Sequence, residues 1–443
     1  MRKLTRILCA VLCMAMLPFA AVTATAEGDG EQITITITDW NTGVPSELQK
    51  EACAKYMEEN PNVIIDHQTI VYDEYHTKLN TLVAAGECPD IYYISDQQAI
   101  EWGENGVAAD LSELYAADGI DMREKFLSTA LYGTDEKIYG LAYGVVDMVM
   151  FYNKAIYDEA GVEYPSLDAM NPITWDEWVE TLKLMTVDYN GNHPGDEGFN
   201  PMGVKTYGTL LPSWVYTISA LLSSNGASFF DDDQVALGTP EAKEVLQALY
   251  DLTAVHQVAP TPIAQDALPA VAQMFVDGQL ATYISGSYEY PTYAEEIPDI
   301  GVAPLPMFKE PKTIAWAACS EIYANTENMD EVFKFFRWYH EADTNPLHLA
   351  SNLPNEYRYY EDESLFDVWM SPDNYNEDYR TVVPVQMANC AVLPEMDIVK
   401  NASQIFDEYV TSTLDMLWLG EKNVDEIVEI LENDLATIYQ GKW

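Results

Sequence analysis

The stretch VAAGECPDIYYISD (83–96) decides how the chain is read. Pro89 and Asp90 break the helical pattern before them, because proline cannot continue the hydrogen-bonded ladder. Ile91, Tyr92, Tyr93 and Ile94 follow, a run of branched and aromatic side chains that suits a packed sheet. The run ends on Ser95, Asp96 and Gln97, three hydrogen-bonding groups. Ligands of open α/β sheets sit outside the carboxyl ends of the strands. This strand end is therefore a candidate binding edge.

Upstream, ITITITDW (33–40) alternates strictly and reads as a strand with Ile33, Ile35 and Ile37 on one face. It delivers Asp39, Trp40, Asn41 and Thr42 at its end. Ser46 and Gln49 have the spacing of a capping box, followed by a helix face of Leu48, Ala52 and Tyr56 that Asn60-Pro61 stops. VIID (63–66) is a second strand, and Tyr75, Leu79 and Leu82 mark a second helix that Gly86 closes. The order β-α-β-α-β predicts a parallel sheet with right-handed crossovers. Downstream, 145–152 is an extended apolar run, and Thr174 to Glu177 is a capping box for a helix. Thr239-Pro240 opens another helix, with proline in its favoured first turn. Residues 402–419 and 424–439 read as acidic helices.

The first 26 residues have the form of an export signal: Arg2, Lys3 and Arg6, an apolar run over 7–22, then Ala24-Thr25-Ala26. Ala10-Val11-Leu12 before Cys13 lacks the small residue of a lipoprotein cleavage site, so a soluble secreted product, extracytoplasmic and associated with the cell surface, is expected, with a lipid anchor as the lesser alternative. Removing 26 of 443 residues leaves 417, more than a single core usually holds. The formal charge is −50, and loss of three basic residues takes it to −53. Such a chain repels nucleic acid and anionic lipid. Cys53, Cys88, Cys319 and Cys390 are widely spaced with no CxxC, so buried thiols are expected rather than a disulfide scaffold.

No motif of a metalloprotease, serine hydrolase, dinucleotide site or P-loop occurs, and the six histidines lack ligand spacing. DYNGNHPGDEG (188–198) places Asp188, Asn190 and Asn192 at alternate positions, with Asp196 and Glu197 beyond, a set of oxygens that would suit a structural calcium ion. Its glycine stands at position 4 and it has no glutamate at position 12. Ordinary turn chemistry accounts for the same residues, so calcium and a plain solvated turn both stay open. What recurs is aromatic residues at element ends: Trp40, Tyr143, Trp214, Tyr216, Tyr288 and Trp316. Singly each is more often core than contact; together they offer flat platforms beside polar groups, the usual make-up of a ligand pocket.

Several ordered blocks resemble one family. KLNTLVAAGECPDIYYISDQQAIEWGENGVAADLSELY (78–115), KIYGLAYGVVDMVMFYNKAIYDEAGVEYP (137–165) with TWDEW (174–178), FVDGQLATYISGSY (275–288), GVAPLP (301–306) and EVFKFFRWY (331–339) resemble the extracellular solute-binding proteins of ABC importers, in the group that includes maltose-binding protein. The resemblance spans about residues 32–340 and implies an α/β, two-lobed, type II periplasmic-binding-protein-like fold. Each lobe would be a mainly parallel sheet flanked by helices, with a cleft at the hinge. The implied lobes are 27–145 plus about 302–343, and 146–301 plus about 344–443, with crossings near 144–147, 301–305 and 343–349. The family's cleft contacts fall here on Trp40, Asp96, Gln97, Tyr143, Asp147, Trp214, Tyr216, Tyr288 and Trp316. The resemblance also implies a non-enzymatic, monomeric sugar-binding protein that serves ABC permease subunits. A polyamine or other small solute in the same fold, and a secreted glycosidase, are the alternatives. The glycosidase would need two carboxylates at a defined separation.

Overall fold

The structure, a computed structural model, describes residues 32–231, 234–297, 299–340 and 352–443. The export signal at 1–26 and the crossing expected near 343–349 lie outside the described residues. The strands, in chain order, are β1 (Ile33–Asp39), β2 (Val63–Thr69), β3 (Ile91–Ile94), β4 (Leu131–Gly133), β5 (Ile138–Leu141), β6 (Val146–Tyr152) and β7 (Val187–Asp188). There follow β8 (Val204–Thr206), β9 (Thr282–Gly286), β10 (Gly301–Ala303), β11 (Thr313–Trp316), β12 (Cys319–Ile322) and β13 (Ala391–Val392).

The opening β-α-β-α-β unit forms as its pattern predicts. Helix α1 (Val44–Glu59) joins β1 to β2 and helix α2 (Tyr72–Ala85) joins β2 to β3. Both strand pairs, β1 with β2 and β1 with β3, are parallel. Ile35 and Ile37 are fully buried, as the alternation requires. Gly86 ends α2 in the left-handed conformation, φ 74°, which glycine adopts without steric cost. The expected capping box at Ser46 does not form. Pro45 presets helical geometry in the first turn, α1 starts at Val44, and Ser46 and Gln49 become buried helix residues. Gln49 Nε2 instead donates to the Tyr93 hydroxyl at 2.9 Å.

Two main sheets result. The first has the order β2-β1-β3-β12-β5-β4, the second β10-β6-β11-β13 with β9 also paired to β6. Neither is mainly parallel, which corrects the sequence expectation. In the first, β12 runs antiparallel to both β3 and β5. In the second, β9, β10 and β11 are all antiparallel to β6, because β6 enters from the other sheet and the later strands return against it. The return of the chain also falls later than expected. Strands β10 and β11 belong to the second sheet, so the first sheet is rejoined only at β12, beyond Ala317-Ala318, and not near 301–305.

Strand β6 is the shared backbone of the core. All seven of its residues are buried, and alternate ones serve two apolar clusters. Val149 and Phe151 pack into the cluster that includes the first sheet; Met148, Met150 and Tyr152 pack with Trp178, Leu182 and Leu221 on the other side. A strand buried on both faces reads as a near-continuous apolar run, as 145–152 does with Asp147 its one charged residue. The capping box at Thr174 and Glu177 forms in full, and Thr239 caps the helix Pro240–Ala254. None of Cys53, Cys88, Cys319 and Cys390 forms a disulfide. Among the described residues no helix is long and apolar enough to cross a membrane.

Candidate functional site

A cavity of about 530 Å³ opens between the two sheets. The first sheet's side contributes Trp40, Tyr72, His76, Ser95, Gln98 and Ala318; the second contributes Trp214, Tyr216, Trp316, Ser403 and Asp407. The volume falls within the range of small-molecule sites, roughly 300–1,000 Å³. A groove of about 640 Å³ elsewhere, lined by Trp175, Glu180, Asp251 and His256, draws nothing from the first sheet.

Local structure sets each wall. Trp40 follows β1, whose last residue Asp39 is fully buried and meets His67 Nε2 at 2.5 Å through Oδ2. The Asn41 backbone N–H donates to Asp39 Oδ1 at 3.0 Å, so the turn carrying Trp40 is tied down on both sides. The indole is wedged edge-on against Tyr75, Tyr93 and Tyr72, with centroids 4.9, 5.4 and 5.5 Å apart. Edge-to-face packing of this kind adds to plain burial and fixes the ring's orientation. Opposite, Trp214 stands just before the helix Val215–Ser224 and Tyr216 lies one residue into it. Their rings and Trp316 at the end of β11 form a cluster: Trp214–Tyr216 at 4.7 Å, Tyr216–Trp316 at 5.0 Å and Trp214–Trp316 at 5.6 Å. Trp316 and Tyr216 are nearly buried, whereas Trp214 keeps 41% of its surface exposed and is the face a ligand can cover.

Of the residues expected at the cleft, Trp40, Trp214, Tyr216 and Trp316 meet in this cavity. Asp96 and Gln97 start helix α3 (Asp96–Glu104), and their neighbours Ser95 and Gln98 line the cavity. The carboxyl end of β3 therefore does face the inter-sheet space, as the opening stretch indicated. Ser95 lines the cavity from the N-cap position of α3, where it makes no side-chain capping bond.

Three expected contacts lie outside the lining. Tyr143 is buried outside the lining, stacked at 5.3 Å and 26° on Tyr93, whose ring in turn meets Trp40. Asp147 is completely buried within β6; Gln386 Nε2 donates to its Oδ2 at 2.6 Å, and its Oδ1 has no hydrogen-bond partner. Burial pushes this carboxyl up to about 7, against the opposing pull of the Gln386 and Ser287 hydrogen bonds. Tyr288 is 44% exposed beyond the end of β9, against Gly286, and does not line the cavity.

The loop at 188–198 turns carboxylate oxygens of the proposed calcium set onto its own chain. Asp188 is buried and spends both oxygens on its own loop: Oδ1 accepts from the Asn190 and Asn192 backbones at 2.8 and 2.9 Å, Oδ2 from Asn200 at 3.0 Å and the Asn192 side chain at 3.1 Å. Burial alone would raise this carboxyl; the hydrogen bonds from Asn192, Asn200 and Asn190 outweigh it and hold it at about 2. Asp196 Oδ2 accepts from the His193 backbone at 2.8 Å. Among the described residues no three carboxylate, histidine or cysteine groups gather as a metal site.

Sequence reasoning did not single out Tyr72, His76, Gln98, Ala318, Ser403 and Asp407. Tyr72 and His76 follow the end of β2, so the strand-end rule that picked Trp40 could have found them. Asp407 comes from a π-helix, Gln404–Val410, which has no sequence signature, and Ser403 directly precedes it.

Comparison with known proteins agrees with this architecture. A family profile described as bacterial extracellular solute-binding protein matches residues 39–345. An arabinooligosaccharide-binding protein of Halalkalibacterium halodurans is 27% identical over 307 residues, covering 66% of this chain and 64% of that protein's own length. A maltotriose-binding protein of Pyrococcus abyssi is 26% identical over 322 residues, 69% of this chain and 62% of the relative. The alignments thus span under two thirds of these two relatives. Among solved structures, an ABC substrate-binding protein of Listeria monocytogenes in complex with cycloalternan superposes with a TM-score of 0.77 at 23% identity, covering 92% of this chain and 99% of the other. The sugar-binding protein MalE of Xanthomonas citri gives 0.73 at 20% identity, with 91% and 97% covered. With the profile spanning more than half of its length, the chain belongs to the bacterial extracellular solute-binding protein family.

Proposed function

We propose that the protein binds an oligosaccharide in the cavity between its sheets and delivers it to the transmembrane subunits of an ABC importer. The observation that carries this is the lining itself: five large aromatic rings, Trp40, Tyr72, Trp214, Tyr216 and Trp316, beside Ser95, Gln98 and Ser403. Sugar rings lay their C–H faces on aromatic planes, and hydroxyl and amide side chains meet their hydroxyls; pockets generally combine apolar walls with a few placed polar groups. The ligands for which the relatives are named, an arabinooligosaccharide and maltotriose, and the cycloalternan of the Listeria complex point the same way. Binding proceeds by closure of the two lobes around the ligand, outside the cytoplasm, with the protein acting as a monomer. The ligand leaves unaltered. Asp407 is the only carboxylate among the described side chains of the lining, whereas glycoside hydrolysis ordinarily uses two.

The test is intrinsic tryptophan fluorescence of the mature protein titrated with mono- and oligosaccharides and with spermidine, followed by chromatography of the sugar. A saturable response to one sugar class, with the sugar recovered intact, is expected. A response to spermidine alone that fades with salt would move the protein to the polyamine alternative, because only a charged ligand is screened. Cleaved sugar would make it a glycosidase.

A further inference from the structure

The charge of the cavity is as informative as its rings. Among the described side chains lining it there is no lysine and no arginine. The one imidazole, His76, has its pKa lowered by burial and so carries no charge at neutral pH. The one carboxylate, Asp407, forms no ion pair among the described residues, although fourteen lysine or arginine ion pairs occur elsewhere in them. It is presented by the π-helix Gln404–Val410, one helical turn from Ser403, which also lines the cavity. A π-helix is rare and concentrates at functional sites, since its wider turn re-aims side chains that an α-helix would place elsewhere. Glu408 follows Asp407 directly, so the charge at this wall is negative with no basic residue in the lining to offset it.

We infer that Asp407 makes this cavity selective by charge: it accepts hydrogen bonds from the hydroxyl or amino groups of a neutral or basic glycan and turns away glycans that carry carboxylates. The inference rests on the carbohydrate reading and adds to it the class of sugar. A ligand carboxylate entering beside Asp407 would face a like charge across a partly dehydrated gap. At separations of a few ångströms and an intermediate effective dielectric, the repulsion is worth roughly tenfold or more in affinity. A hydroxyl or an amine at the same place would instead donate to the carboxylate, in a bond stronger than one between neutral groups.

The experiment uses three neutral probes, maltotriose, arabinotriose and N,N′-diacetylchitobiose, and for each a derivative with one primary alcohol oxidised to a carboxylate. Calorimetry measures every pair against the wild-type protein and Asp407→Asn, at low and at high salt. For whichever neutral probe binds, its acidic counterpart should bind at least about tenfold more weakly to the wild type at low salt. The ratio between the two should shrink several-fold in Asp407→Asn, whatever that change does to the neutral sugar, and also in high salt. Equal binding of the acidic and neutral forms, or a ratio that neither the substitution nor salt alters, would overturn the charge selectivity while leaving sugar binding intact. Binding of no neutral or acidic probe would instead remove the carbohydrate reading, and this inference with it. The salt series needs only the wild-type protein, so the test stands even where the variant folds poorly.

Discussion

Replacing Asp147 with asparagine should change how stability depends on pH. Asp147 has no solvent exposure, its Oδ1 has no hydrogen-bond partner, and no cation pairs with it among the described residues. Burial pushes its pKa from 3.8 to about 7. Between those values the folded protein holds a proton that the unfolded chain has released. Stability therefore falls as pH rises through that window and levels off above about 7. The full loss, about three pKa units, is on the order of 4 kcal/mol. Asparagine keeps nearly the same shape and an oxygen for the Gln386 amide, and it does not titrate. Urea unfolding of both proteins from pH 4 to pH 8.5, followed by tryptophan fluorescence, should show the variant gaining on wild type by roughly 3–4 kcal/mol across the range. Glu321, another buried carboxyl whose pKa burial raises, bends both curves alike and cancels in the difference. Parallel curves would refute the reasoning, because they would mean that Asp147 is ionised and solvated in the folded protein.

Other outcomes follow from the same geometry. Asp188→Ala should cost about 1–3 kcal/mol, since it strands the backbone N–H groups of Asn190, Asn192 and Asn200; EDTA or added calcium should leave the melting temperature of the wild type unchanged. The Cys53 thiol, buried and pushed up to about 12, should resist iodoacetamide at pH 8 in the folded protein and react in urea, as read by mass spectrometry. Trp178→Ala should destabilise by about 3–5 kcal/mol in urea unfolding, because the indole is fully buried against Trp175 and the second core cluster.

Periodicity carried the first sheet. The alternation of Ile33, Ile35 and Ile37 and the four-residue run at Ile91 locate β1 and β3, and the rule about strand ends then places Trp40 and Ser95 at the cavity. The same rule could not tell which neighbour of a strand end lines the cavity: Tyr143 and Asp147 are buried behind it, and Tyr288 is exposed outside the lining. Pairing direction was illegible as well. Strands β9, β10 and β11 look alike whether they run with or against β6, since a strand buried on both faces shows the same apolar run in either case. Asp407 was hidden for another reason. Its place in the cavity depends on a π-helical turn that widens the register of an otherwise ordinary acidic helix, and no local side-chain pattern encodes that.

The central claim, that an oligosaccharide lies against the exposed face of Trp214 in the inter-sheet cavity, is tested most directly by calorimetric titration of wild type and Trp214→Ala with the sugar that gives the strongest fluorescence response. The account expects saturable one-site binding to the wild type and a loss of about ten- to thirtyfold in the variant, the usual cost of truncating an aromatic anchor. Equal affinity of the two proteins for that sugar would contradict it.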